Sequence, residues 1–319
     1  MIRSASGSYD DWVSSYNIYM SNYLAQVRSE VRRRPRLLRP GIIAIIDYES
    51  ASPDWQFVSV NQPLLVTRWR SAVAQVNATA FSHSFIAFAG YSPPVSAVNW
   101  SSLNADQQEE FLRRSWNAFG QDLYTRTLVL AREDAPTALW GYWGLPRAMV
   151  NVPISTRDRE LNDNLAWLLE QVDVLCPNFY DAPRVEEGGA SSDCPTYTAS
   201  RLVGWLTGNM AEAIRVRHLY NQDARLLPYI WYHNGPNTCI GVEQPARLIS
   251  DTNARALLTI PKFMGADGVL LWGHFFPNEP APEHASPDDV QGFIDQWAWL
   301  INSLHRSRGL PTRGLNPVP

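Results

Sequence analysis

Asp47 and Glu49 stand one residue apart in GIIAIIDYES, residues 41–50, directly after a run of five apolar residues. Side chains two apart on a strand leave the same face, so the two acids project together. Two carboxylates held close cannot both ionise without cost, and one pKa rises. A carboxyl group still protonated near neutral pH is what protonation of a glycosidic oxygen requires. The plainer reading is that both acids pair with arginines at a strand end, and D-x-E alone does not separate the two.

The surrounding elements must hold such a pair, and they follow a regular order. Apolar and aromatic positions at threes and fours predict a helix over 10–34, stopped by Pro35. The segment 42–49 reads as a buried strand, and a helix is expected near 64–78 within an otherwise mixed stretch from 52 to 104. A long helix follows over 104–134, with Asn104 as its cap and Gln107 in the reciprocal position. Strands are expected at 137–144, 172–180, 226–233 and 268–274, separated by helices over 158–172, 197–220 and 250–265. A closing helix is expected over 286–305. Five strands alternating with helices imply an α/β fold with a parallel sheet, here one domain spanning 1–319. No strand leads into a G-x-G-x-x-G phosphate fingerprint, which argues against a dinucleotide-binding sheet. Polar or aromatic residues end the strands: Asp47 and Glu49, Trp143, Tyr180, Tyr232 and Trp272. Barrel enzymes assemble their active sites from such ends, and this favours a TIM-like (β/α) barrel. Aromatic faces there would form a platform for sugar rings.

Composition narrows the function. With 45% hydrophobic residues the chain can build a large core, yet no apolar run reaches the roughly 20 residues of a membrane span. The net charge of −4 disfavours a protein that coats polyanions with its whole surface. The basic residues are almost all arginine, with Lys262 the only lysine, a skew that bidentate carboxylate recognition and codon bias explain equally. The arginines around 28–39 sit at a helix C-terminus, where the dipole favours cations, and no basic surface interleaved with aromatics points to nucleic acid. Cys176, Cys194 and Cys239 lack metal-ligand spacing, and neither a metal nor another cofactor is expected. One disulfide plus a free thiol, or three thiols, fit equally. No G-x-S-x-G elbow supports serine catalysis. Asn77 and Asn99 match the glycosylation acceptor pattern, which carries meaning only on a secreted chain.

IIAIIDYESASPDW resembles the D-x-E segment of the hyaluronidase family of glycoside hydrolases. LWGYWGLP resembles that family's W-G-[YF]-[YF]-G-x-P, and NDNLAWLLEQVDVLCPNFY its N-D-x-x-x-W-L segment. LPYIWY and GADGVLLWG supply two further landmarks in the same order, and the likeness runs over about 15–305. The resemblance implies a distorted barrel of about seven strands that cleaves β-N-acetylhexosaminide links in hyaluronan or chondroitin. It also implies a retaining route in which the substrate's acetamido oxygen attacks the anomeric carbon, outside the two-carboxylate scheme. Glu49 would then be the acid/base and Asp47 would orient the acetamido group. Tyr180, Tyr232 and Trp272 would hold the sugar, with Tyr142 and Trp143 also lining the site and Tyr229 competing with Tyr232 for the second tyrosine position. An extracellular or lysosome-like setting follows by the same resemblance.

The chain departs from the family at three points. Ala51, Ser52 and Pro53 stand where Trp, Arg and Pro usually follow the acids. The family's bracing cysteines are missing from RAMVNVPISTRDREL. The chain opens at the first helix, so the family's two preceding strands are expected to be absent. Two further readings use the same residues: a glycan-binding protein without catalysis on a diverged barrel, and a barrel glycosidase acting on a neutral N-acetylglucosamine polymer.

Overall fold

A computed structural model describes residues 16–48, 52–75, 103–147, 154–179, 199–231, 233–234, 247–248 and 251–272. The apolar run ahead of Asp47 forms strand β1 (Ile43–Ile46). It pairs in parallel with β2 (Leu139–Trp143), which pairs with β3 (Val174–Cys176), which pairs with β4 (Arg225–Leu226). These strands lie in the first of two compact units, Met1–Ala148 with Ile154–Asn178 and Ala211–Leu227. In the second unit, β5 (Tyr229–Trp231) forms a parallel pair with the last described strand, Leu270–Trp272. Between these in sequence, β6 (His233–Asn234) and β7 (Arg247–Leu248) form a short antiparallel pair, which makes Leu270–Trp272 β8. The strand expected over 226–233 is therefore two ladders. Pro228 lies between β4 and β5, and without an N–H it cannot donate to either.

Helix α1 (Tyr16–Arg32) buries Met20, Tyr23, Val27 and Val31, three or four residues apart, as an amphipathic helix must. A 3₁₀ turn over Pro35–Leu38 follows, where the proline ends the α-helix. Beyond β1 come α2 (Trp55–Asn61) and α3 (Pro63–Gln75). Only the second was expected, although Asp54 caps α2 by accepting from the backbone N–H groups of Gln56 and Phe57 at 3.3 and 3.2 Å. Helix α4 (Ala105–Asp134) starts on the capping box read from its sequence, with Asn104 and Gln107 bonded reciprocally. Its inner face packs Trp116 and Phe119 against Trp69, with ring centroids 5.1 and 5.8 Å apart.

The helix expected over 158–172 is two pieces, α5 (Thr156–Asp163) and α6 (Ala166–Leu169). The side chains of Asn162, Asp163 and Asn164 bond outside the helix, to Arg147, Arg215 and Gln56 respectively. Asn and Asp compete with helix in this way. Helix α7 (Ala199–Tyr220) and α8 (Asp251–Phe263) complete the described elements. The helix expected over 286–305 lies outside the described residues, as do Asn77, Asn99, Cys194 and Cys239. Cys176 is a free thiol with no exposure, and burial pushes its pKa up. Among the described residues no helix is long and apolar enough to cross a membrane.

Gly120 is where α4 meets the segment that follows the acid pair. A Cβ there would stand 2.5 Å from the carbonyl oxygen of Pro53 and 2.6 Å from its Cα. Neither backbone atom can move without displacing the segment around Pro53. Gly120→Ala is expected to cost about 1–3 kcal/mol, the range for overpacking. Denaturant unfolding of the variant measures it, and an unchanged midpoint would show that the contact is looser than described.

Candidate active site

β1 and β2 run side by side in register, with Ile46 opposite Tyr142, so Asp47 and Trp143 leave the ladder at the same level. Trp143 is in turn the partner of Cys176 on β3. The carboxyl ends of three parallel strands are thus level, and they carry an acid, a half-buried indole and a buried thiol. Asp47 is exposed on one side, and the protein around its other side raises its pKa from the usual aspartate value by desolvation.

Behind Asp47 lies a set of tyrosines. Tyr48 stands edge-on to Tyr23 and Tyr124, with centroids 6.2 and 5.5 Å away. Tyr124 donates its hydroxyl to the Tyr48 carbonyl at 3.4 Å. Tyr142 donates to the Tyr124 carbonyl at 2.7 Å, and the two rings lie 4.7 Å apart. Burial pushes both hydroxyls well above the normal tyrosine range. Tyr142 was expected to line the site, but a ring that is 2% exposed has no face open to a ligand. It packs on Tyr124, which in turn contacts Tyr48.

The segment after the acids is held from a different direction. Arg147, next after the Leu145-Pro146 pair that ends the β2 motif, reaches back and donates to the Ser52 hydroxyl. Its guanidinium lies 3.8 Å over the Phe57 ring. Trp116 on α4 donates to the Ser52 carbonyl at 2.9 Å. Burial lowers the Arg147 pKa to about 10 against the attraction of Asp54, which leaves it charged at neutral pH. Asp54 is itself 4% exposed, and burial raises its pKa while Arg147 and the cap bonds pull it down. Ser52, in the place of the family's arginine, therefore has a guanidinium bonded to it from another loop.

Arg147 is held in turn by Asn162. The Asn162 amide accepts from the Arg147 N–H at 2.8 Å, donates to the Arg147 carbonyl at 3.3 Å, and donates to Glu212 at 2.9 Å. Glu212 on α7 also takes two bonds from Arg215, and Arg215 and Tyr220 both reach Asp163. The Asn-Asp pair of NDNLAWLL is thus a bracket between the β2 loop and α7. Arg147, Asn162 and Asp54 were not singled out in the sequence. Arg147 directly after a strand-end G-x-P turn, and Asp54 ahead of an aromatic helix start, were the signals available.

Glu49, Tyr180 and Tyr232 lie outside the described residues. Trp272 ends β8, paired with Trp231 on β5, within the second unit. Among the described residues no group of acids, histidines and cysteines could hold a metal ion.

A family model described as "Hyaluronidase" matches residues 92–296. That span starts downstream of the acid pair. The hyaluronidase of Apis mellifera is 27% identical over 207 residues, covering 56% of this chain and 49% of that protein. The hyaluronidase of Loxosceles intermedia is 24% identical over 238 residues, covering 72% and 49%. This chain spans about half the length of the curated relatives it matches. The crystal structure of bee venom hyaluronidase superposes with a TM-score of 0.61 at 20% identity, over 89% of this chain and 76% of that one. Its complex with a hyaluronic acid tetramer gives 0.57 at 21%, over 89% and 74%. That likeness shows the fold, α/β with parallel strands, of the TIM-like barrel class.

The bracket generates a stability prediction. Asn162→Leu keeps side-chain volume but leaves the Arg147 N–H and carbonyl without their partner and removes one bond to Glu212, whose two bonds from Arg215 remain. Each buried polar group so orphaned costs about 1–3 kcal/mol. A loss of about 3 kcal/mol in denaturant unfolding is expected, and a loss below ~0.5 kcal/mol would show that the bracket carries no weight.

Proposed function

The chain belongs to the hyaluronidase family of glycoside hydrolases, and from that premise we propose that it hydrolyses β-N-acetylhexosaminide links in a hyaluronan- or chondroitin-type polymer. The observation that carries the reading is Asp47 at the carboxyl end of a parallel strand, level with Trp143, in a chain matching the family over 92–296. The single barrel domain spanning 1–319 and an extracellular or lysosome-like setting belong to the same proposal.

In the proposed reaction Glu49 gives its proton to the glycosidic oxygen as the bond to the anomeric carbon breaks. The acetamido oxygen of the same sugar attacks that carbon from the opposite face and forms an oxazolinium ring. Asp47, ionised, accepts the acetamide N–H and stabilises the positive charge. Glu49 then takes a proton from water, whose oxygen opens the ring and restores the starting configuration. Trp143, Tyr180, Tyr232 and Trp272 are assigned to the sugar faces and the acetamido group. Tyr142 supports Tyr48 from below. No cofactor takes part.

Glu49→Gln is expected to lower depolymerisation of hyaluronan or chondroitin by ~10²–10⁴-fold while circular dichroism and the melting midpoint stay unchanged. Unaltered activity in that variant would overturn the assignment. Polymer binding with no reducing ends released by the native chain would mark a glycan-binding protein instead, and preferred turnover of a chitin oligomer would mark a neutral substrate.

The mechanism needs Asp47 ionised, and desolvation raises its pKa. On acidification Asp47 therefore takes up its proton at a higher pH than a free aspartate would. The acid limb of the kcat profile is expected above about pH 4, the ordinary aspartate value. A limb at or below that value would remove Asp47 from the ionised role.

A further inference from the structure

The C-terminal half of α1 and the turn after it carry Arg28, Arg32, Arg33, Arg34, Arg36 and Arg39. Three carboxylates answer these six cations: Glu30 bonds Arg33 and Arg34, Glu133 bonds Arg28, and Asp134 bonds Arg28 and Arg32. Arg36 and Arg39 are exposed and have no ion-pair partner among the described residues. The side chains of Arg32, Arg33 and Arg34 are 65, 70 and 60% exposed, so their pairs are held weakly and can be exchanged for a ligand's anions. In a chain of net charge −4 this is a local excess of positive charge, which a folded core does not need.

Two of these arginines, Arg28 and Arg32, line an open groove of about 700 Å³ between α1 and α4. Arg28, Arg32 and Arg126 stand around it, with Ser21 and Ser29 on the α1 side and Leu24 in the lining. Guanidinium groups beside hydroxyls and an apolar patch match a uronic acid sugar, which offers a carboxylate, hydroxyls and a C–H face. No aromatic ring lines the groove, so it lacks the stacking platform of a single-stranded nucleic-acid site. Leu38 is exposed in the turn, but one leucine is too small an apolar anchor for a bilayer surface.

We propose that this arginine face is a second binding site for an anionic glycosaminoglycan segment, separate from the strand-end site. Its position in the chain supports a joint role. Arg39 precedes β1 and the acid pair follows it, and β1 is four residues long, ~13 Å at about 3.3 Å per residue. One long polymer can therefore occupy both ends, and tethering at the arginine face raises its effective concentration at the other. A short oligosaccharide engages one end only and gains nothing. The joint role rests on the proposed hydrolase reading, whereas the binding site itself does not.

The test is a full-length chain carrying Arg33→Gln, Arg34→Gln, Arg36→Gln and Arg39→Gln, which spares Arg28 and Arg32 and their pairs with Glu133 and Asp134 on α4. Binding of high-molecular-weight hyaluronan and of a hyaluronan tetramer is measured by calorimetry at low and moderate salt, with reducing-end release in parallel. The melting midpoint should match that of the native chain. Polymer affinity is expected to fall ~10-fold or more with a shallower salt dependence, and tetramer binding to stay the same. Equal polymer affinity in both proteins overturns the proposal. So does loss of binding to duplex DNA or to phosphatidylserine vesicles with hyaluronan unaffected. If the native chain releases no reducing ends but polymer binding still drops in the variant, the hydrolase reading fails and the arginine site stands.

Discussion

Asn162 is the contact on which the strand-end region depends. Its amide has no exposure and meets both the N–H and the carbonyl of Arg147, and beyond them Glu212. With Arg147 held, its guanidinium is in place to bond Ser52 and to cover Phe57. Ser52 is then held from two sides, by Arg147 and by Trp116, which fixes the start of the segment that leads into α2. Removing one amide therefore does more than open a hydrogen bond, because each later contact assumes the earlier one. Buried polar networks of this kind specify geometry, and a half-satisfied one is worse than none.

The arginines of the first unit divide into two kinds. Arg147 is enclosed, charged and bonded within the protein, next to the buried acid Asp54. Its role follows from low dielectric, where a charge must be matched or it destabilises. The arginines of α1 and its turn are exposed and exceed their carboxylates, in surroundings where an ion pair contributes little. The first kind organises the chain, and the second is available to a ligand.

Local signals in the sequence were legible. The Asn104 box, the stop at Pro35 and the apolar run of β1 each depend on residues a few positions apart, and each formed where its chemistry predicts. The alternation of helices and strands also led to the correct fold class. The burial of β2 was not legible. Trp140, Gly141 and Tyr142 are all buried, and a parallel strand covered on both sides has no polar alternation to mark a ligand face. Nothing local to LWGYW therefore marked Tyr142, expected to line the site, as a buried ring. The Arg147–Ser52 bond joins residues far apart in sequence, and no local pattern announces such a contact. The departure at Ser52 was visible, but its partner was not.

The central claim is that the acid pair works on a substrate that supplies its own nucleophile. The most direct measurement is proton NMR of the first reducing ends released from hyaluronan, taken before mutarotation. Retention predicts that the β-anomer appears first and relaxes to the mixture. Initial release of the α-anomer would show direct attack by water and contradict the account.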